Sequence, residues 1–454
     1  MNNATFDNSD LLRCFGDGAS HLPSGIQCNG VSTDTRTLSN GNIFVALRGE
    51  TFDGHDHVHT ALASGASLCI VEESSGLSGA RITCVPSTLH ALGTLGWYHR
   101  QRFQIPVVAI AGSAGKTSTK ELVAHVLRED FTVLHTKANH NNRIGTPQTL
   151  LSLNETHTAA VIEIGTNEPG EIELLAAMVQ PTHGLITQIG KEHLEKLIDL
   201  DGVEREETAL FDYLRDSDGV LLVNADDERL RKWYNRNGGR GVTFGIEQEA
   251  DFKLQLTFDN ELHPILHIVA SDGGMRAVLK TTGLAAGLNG VAAFAVAKVL
   301  GMRLPNIKRG LESYLPDSNH GYARLVVQQC NNLAVLNDTY NANPESMLMA
   351  LRTLQAYPAT HRIAVLGDMR ELGSASALEH QALLTTACTI ADEVITMGDE
   401  FAHAALDHSS VHVCQTHKQC ANVVKQISKQ GTAVLVKGSR GMTMEKVITE
   451  LGGN

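Results

Sequence analysis

The sequence predicts an α/β fold in three domains, on three observations. Apolar runs of strand length alternate with helical periods along most of the chain. The alternation is preceded by a small α/β stretch, and it starts afresh near residue 316. At 454 residues the chain also exceeds what one core supports. The expected domains are residues 1–85, 86–315 and 316–454.

In the first domain, "NIFVAL" and "SLCIVEE" read as strands, with "HTALASGA" a short helix between them. In the second, "VVAIAG", "AAVIEIG", "GLITQIG" and "GVLLVNADD" read as buried parallel strands, separated by helices such as "EIELLAAMV". That order predicts a mainly parallel sheet covered on both faces, with ligands at the carboxyl ends of its strands. In the third, "AVLNDTY", "RIAVLGDM", "EVITMGD" and "AVLVKGS" repeat the pattern.

The stretch "AIAGSAGKTST" joins the first strand of the second domain to a helix. Strand, glycine-bearing loop and helix are the parts of a phosphate-binding loop. Backbone N–H groups and the helix N-terminus cradle phosphate oxygens, Lys116 reaches the terminal phosphates, and the Thr117 hydroxyl holds Mg²⁺. The strict pattern wants glycine where Ile110 stands, so this loop is a variant. No N-K-x-D string is present to read guanine, which disfavours a small GTPase.

A net charge of −13 argues against a general nucleic-acid surface, so an anionic substrate must be met by local arginines and lysines. The amino terminus lacks a basic region followed by an apolar one, and a cytoplasmic protein is expected. "GLAAGLNGVAAFAVAKVLG", interrupted by Asn289 and Lys298, reads as a buried helix, not a membrane span. The eight cysteines form no CxxC pair and read as reduced thiols, Cys414 and Cys420 around His417 included. The "HDHVH" run, His55 to His59, reads as a solvated loop or strand end.

Polar residues gather where strands stop. Glu163 is an acid embedded at a strand end, which is costly unless it is paired or bound to a cation. His193 follows the next strand. With Thr117 they suggest a divalent-cation site, although Mg²⁺ prefers oxygen ligands. "KANHNNRIGTP", with Asn139, Asn141, Asn142 and Arg143, reads as a loop for a polar anionic ligand. "NDTYNANPES" and "VKGSRG" offer Asn341, Asn343, Lys437 and Arg440 at strand ends of the third domain.

Together these strings resemble the Mur ligase family over essentially the whole chain. "GSAGKTST" matches its phosphate loop, so Ile110 is no anomaly there. "GVSTDTRTLSNGNIFVALRGETFDGHD", "NHNNRIGTP", "NANPESM", "LGDMRELG" and "KGSRGM" match further strings. The resemblance is nearest to members that add D-alanyl-D-alanine to UDP-N-acetylmuramoyl-tripeptide. It implies a central P-loop ATPase-like domain, a C-terminal Rossmann-like domain, and an ATP- and Mg²⁺-dependent amide ligase of peptidoglycan synthesis. A monomer is expected.

Carried over by position, Thr33, Asp34, Thr35 and Arg36 would meet the uridine-diphosphate end. Asn139, Asn142 and Arg143 would meet the muramoyl-peptide. Gly112, Ser113, Ala114, Gly115, Lys116, Thr117, Ser118, Asn289, Arg324 and Asp338 would serve ATP. Thr117, Glu163, His193 and Glu207 would hold Mg²⁺. Asn341, Asn343 and Lys437 would lie near the incoming dipeptide. Three positions depart from the family pattern, one being Asn337, which begins "NDTY" where an acid is common. Ala292 stands where a second, adenine-facing asparagine is usual, and Glu207 stands where a lysine becomes carbamylated. The "EREE" run around Glu207 reads either as a carboxylate replacing the carbamate, with Glu204 assisting, or as a solvated acidic helix start. A sister ligase using another amino acid, or a non-catalytic nucleotide-binding relative, are the alternative readings.

Overall fold

The computed structural model describes residues 4–270, 273–316, 324–405 and 411–452. Its largest sheet has seven strands in the order Phe252–Lys253, Gly241–Gly245, Val220–Asn224, His183–Ile186, Val107–Ala111, Ala159–Glu163 and Val133–His135. All five residues of Val107–Ala111 and of Ala159–Glu163 are buried. That explains their unbroken apolar runs, since a strand covered on both faces has no solvent side to mark with polar residues.

By backbone proximity the chain divides into two compact units. One comprises Met1–Ala109, Phe131–Thr166 and Gly170–Gly184, and the other Ile110–Asp130, Asn167–Pro169 and Leu185–Asn454.

The first unit contains a four-stranded parallel sheet of Val31–Ser32, Ile43–Val45, Leu68–Glu72 and Ile82–Val85, in that spatial order. Helix Val58–Ala63 crosses between its second and third strands, where "HTALASGA" predicted it. The "HDHVH" run is solvated at Asp56, His57 and His59 but not at His55. Gly54–His57 forms a 3₁₀ turn, His55 is buried, and its ring bonds Asp53 (2.5 Å) and the Glu72 amide (2.9 Å). Capping and ring hydrogen bonds pull the histidine inward.

In the second unit, helix Leu284–Val299 is buried along most of its length, as its small and apolar residues require. No helix among the described residues is long and apolar enough to cross a membrane. A three-stranded antiparallel sheet, Gln255–Phe258, Pro264–Ala270 and Gly273–Val278, was not foreseen. The last part of the chain forms a six-stranded sheet ordered Val326–Cys330, Leu333–Asp338, Thr432–Lys437, His361–Gly367, Glu393–Met397 and Val411–Cys414. Successive residues of its strands feed opposite cores. Leu336, Ala364, Leu366 and Leu435 join Leu351 and Leu384 on one face. Val335, Ile363, Val365, Val434 and Val436 join Val424 and Val447 on the other. Cys414 and Cys420 belong to this second core, and His417 bonds the Met442 carbonyl at 2.8 Å.

Candidate active site

The phosphate loop is held by its glycines and by the segment following strand His183–Ile186. Gly112 (φ +115) and Gly115 (φ +83) adopt left-handed backbone that other residues enter only at a cost. A Cβ on Gly112 would also lie 2.3 Å from the Thr187 hydroxyl. Ser113 N–H donates to the Gln188 carbonyl (2.9 Å), Gly190 N–H to the Ser113 hydroxyl (2.8 Å), and the Thr187 hydroxyl to the Ala114 carbonyl (2.7 Å). Helix Lys116–Leu127 then begins at Lys116, with Thr117 and Ser118 in its first turn. This positions amide donors and a lysine on a stiffened turn.

Three charged side chains meet beside that loop. Lys116 Nζ lies 3.0 Å from Glu192 Oε2, both side chains largely buried. Glu207, in the middle of helix Leu200–Asp216, is fully buried, and its Oε2 accepts from Gly112 N–H at 2.6 Å. Burial pushes the Glu207 carboxyl well above its ordinary range; Glu192 adds to that push and Lys116 opposes it. The solvated-helix reading of "EREE" is therefore corrected: Glu206 and Glu207 are both inside. Glu204 turns elsewhere and pairs with Arg229, so it does not assist Glu207. Glu192 was missed, although the reasoning that selected Glu163 (an acid just beyond a buried strand) applies equally to "KEH".

His193 adopts φ +48, unusual for a residue with a side chain, and its Nδ1 lies 2.7 Å from Glu371 Oε2. This hydrogen bond draws the Glu371 carboxyl below its usual range. Neighbouring Lys191 donates from its amide to Glu345 (2.9 Å) and from its ammonium to Glu379 (2.6 Å). Asn289 accepts from the Thr119 hydroxyl at 3.0 Å, tying its helix to the phosphate-loop helix, and Ala292 is buried in the same helix.

The amide-rich residues of the third region are tied to one another and to the phosphate loop. Asn343 caps helix Pro344–Ala356 through the Ser346 amide (2.9 Å) and donates to the Ser113 carbonyl of the phosphate loop (3.3 Å). Lys437 is buried, paired with Asp338 at 2.7 Å, and donates to the Asn341 carbonyl at 2.8 Å. The Asn341 side-chain oxygen accepts from the Arg440 amide at 3.2 Å. Asn343 thus serves as a helix cap and Lys437 as half of a buried ion pair, while Asn341 is exposed. Arg324 lies over the Tyr340 ring, 3.8 Å from its centroid. Beyond the sheet's carboxyl ends is a cavity of about 520 Å³, lined by residues including Arg370, Glu371, Asp399, Gln415 and His417.

In the first unit, Glu163 is buried and its Oε1 accepts from Asn141 Nδ2 at 2.7 Å. Asn142 spends its side-chain oxygen on the amides of Ile144 (3.1 Å) and Gly145 (2.9 Å), turning the chain into helix Gly145–Leu150. Asn139 is exposed and Arg143 half-buried. Thr33 accepts from Gln148 at 3.1 Å, and beside Thr35 the Asp34–Arg36 pair (2.6 Å) stands at the surface. The guanidinium of Arg36 holds the Asp34 carboxyl down to about 2.

Among the described residues, no three His, Cys, Asp or Glu side chains are grouped so as to hold a metal ion alone. Mg²⁺ commonly completes its shell with water and substrate phosphates. The Glu207 carboxyl is hydrogen-bonded to Glu192 and to Gly112 N–H, a buried set of acidic oxygens that suits a hard, oxygen-seeking cation beside the loop.

Family comparisons cover almost all of this framework. The Mur ligase family catalytic domain matches residues 27–124, the Mur ligase middle domain 110–297, and the Mur ligase glutamate ligase domain 324–440. A UDP-N-acetylmuramoyl-tripeptide–D-alanyl-D-alanine ligase of Haemophilus influenzae is 32% identical, over 94% of this chain and 94% of that protein. The chain belongs to the Mur ligase family. A crystal structure of MurF from Acinetobacter baumannii matches with a TM-score of 0.89 and 28% identity, over 99% of each chain. MurF of Thermotoga maritima in complex with ADP matches at TM-score 0.84 and 26% identity, over 93% of this chain and 96% of that one. The Mur ligase fold thus accounts for the α/β architecture predicted from strand and helix patterning.

Proposed function

We propose that this chain joins D-alanyl-D-alanine to UDP-N-acetylmuramoyl-tripeptide at the expense of ATP, giving the UDP-muramoyl-pentapeptide precursor of peptidoglycan. The observation that carries the reading is Asn343 of the "NANP" string bonded to the phosphate-loop carbonyl of Ser113. It brings the string typical of D-alanyl-D-alanine-adding members against the loop for ATP, in a chain alike over its length to ligases of that activity.

The tripeptide's terminal carboxylate is a poor electrophile. Its oxygen attacks the γ-phosphorus of ATP, ADP departs, and an acyl phosphate forms. The free amine of the dipeptide attacks the acyl carbon through a tetrahedral intermediate; the C–O bond breaks, phosphate leaves, and the amine loses a proton. Lys116 neutralises charge on the transferring oxygens, and the loop amides orient them. To do so, its ammonium exchanges Glu192 for phosphate.

Thr117, His193 and Glu207 in one unit, and Glu163 in the other, are each candidate ligands for Mg²⁺, which when bound supplies charge neutralisation on the phosphoryl oxygens. Thr33 to Arg36 serve the uridine diphosphate, and Asn139, Asn142 and Arg143 the muramoyl-peptide. Asn289, Arg324 and Asp338 serve ATP, with residues 112 to 118 around its phosphates. The dipeptide is zwitterionic. Asn341, Asn343 and Lys437 would lie near it, and the cavity bearing Arg370 and Asp399 adds both signs of charge. Residues 1–85, 86–315 and 316–454 divide this work as UDP-substrate, ATP and acceptor domains of a cytoplasmic monomer.

ADP release with UDP-muramoyl-tripeptides tests the reading, comparing D-alanyl-D-alanine with single amino acids as acceptors. Dipeptide-dependent release supports it. Release with a single amino acid alone would make the chain a sister ligase, and no release with any acceptor a non-catalytic relative.

A further inference from the structure

His193 is held from one direction by one short segment. Its Nδ1 lies 2.7 Å from Glu371 Oε2, and the next amide but one, Glu195 N–H, points at the Glu371 carbonyl (3.4 Å). Gly373, at φ +52, passes so close that a Cβ there would lie 3.0 Å from Glu195 Cα. Leu194 and Leu197 form a small apolar cluster with Val203, against which Ala375 packs. Residues 371 to 375 therefore fix both the backbone of the His193 turn and the ring itself. That support matters because the left-handed φ of +48 at His193 is a conformation that surroundings must impose.

The chemistry of the contact sets the ring's tautomer. A carboxylate only accepts hydrogen bonds, so Nδ1 must carry a proton. In the neutral ring the lone pair then resides on Nε2. Histidines that bind metals commonly donate their other ring N–H to a carboxylate in this way, which orients the ring and raises its basicity.

We propose that Glu371 is a positioning residue for His193, presenting Nε2 to a divalent cation. Because Glu371 also lines the cavity at the carboxyl ends of the six-stranded sheet, it links that cavity to the cation side of the site. The inference rests on the reading of His193 as a cation ligand.

The test uses the full-length protein and its Glu371→Gln, Glu371→Ala and His193→Ala variants. Mn²⁺ binding is measured by electron paramagnetic resonance in the presence of a non-hydrolysable ATP analogue. Nitrogen-15 spectra of the histidine rings report the tautomer. Wild type should show His193 protonated on Nδ1. Glu371→Ala should redistribute the tautomers and weaken Mn²⁺ binding by roughly ten-fold or more. Glu371→Gln should restore part of the loss, since its amide oxygen can still accept.

Wild-type His193 protonated on Nε2 alone would overturn the proposal, and this measurement stands even if Glu371→Ala does not fold. Normal Mn²⁺ affinity in Glu371→Ala alongside weakened affinity in His193→Ala would also overturn it. Unchanged affinity in His193→Ala would instead overturn the ligand role of His193.

Discussion

Lys116 and Glu192 form a largely buried ion pair of 3.0 Å beside the phosphate loop, with the Glu207 carboxyl bonded to the same loop through Gly112. Lys116 therefore balances Glu192 in the fold, beside the proposed duty of meeting phosphate.

Lys116→Ala should lower turnover by roughly 10²–10³-fold or more, by the scale seen when one preorganised charge-stabilising donor is lost. It should also lower thermal stability, because Glu192 is left buried without its cation. Adding Glu192→Gln should return the stability without returning ligation. ADP-release assays with thermal melts separate the two duties; recovered turnover in the double variant would show that Lys116 matters only as a counter-charge.

Asn343 caps a helix and touches the Ser113 carbonyl, so its replacement should be felt at the nucleotide end. Asn343→Ala should cost about 0.5–2 kcal/mol of stability from the lost cap. It should also raise the KM for ATP more than that for D-alanyl-D-alanine. Steady-state kinetics with each substrate varied in turn would read the opposite ranking if Asn343 faced the dipeptide.

What the sequence made legible follows from which interactions are local. Strands such as Val107–Ala111 announce themselves because both faces are covered and every residue is apolar. Gln255–Phe258 hid because it is only four residues long and mostly exposed, too short for its alternation to stand out. The phosphate loop was readable because its chemistry is written in consecutive residues. Glu192 and Glu371 were not, since their partners lie far along the chain: Lys116 is 76 residues from Glu192, and His193 meets Glu371 only through the folded third region. The partner of Lys437 was hidden for the same reason. Its charge looks available until Asp338 is found beside it.

Asp34 and Arg36 are paired with each other at the surface. Exposed pairs contribute little to stability. Arg36→Ala should leave the melting temperature within error of wild type while raising the KM for the UDP-linked tripeptide roughly ten-fold or more, consistent with loss of a charged hydrogen bond (about 1.5–3 kcal/mol). A changed melt with an unchanged KM would remove Arg36 from the substrate contact.

Glu207 gives the sharpest pH signature. Its folded carboxyl titrates well above the ordinary glutamate value of 4.5, because burial and Glu192 disfavour its charge. Above pH 4.5 the unfolded chain has released this proton while the folded chain still holds it. The folded state then binds more protons, so stability falls as pH rises from the ordinary carboxylate range toward the raised value. Glu207→Gln keeps a carbonyl oxygen for Gly112 N–H and lacks the titration. Denaturant unfolding of the nucleotide-free proteins should therefore show the variant gaining on wild type as pH increases; parallel curves would mean that Glu207 is ionised throughout. The same variant should lose roughly ten-fold or more of its activity at limiting Mg²⁺. Wild-type activity should be indifferent to added bicarbonate, because a glutamate needs no carbamylation. Full activity of Glu207→Gln at limiting Mg²⁺ would leave cation binding to Thr117, Glu163, His193 and water.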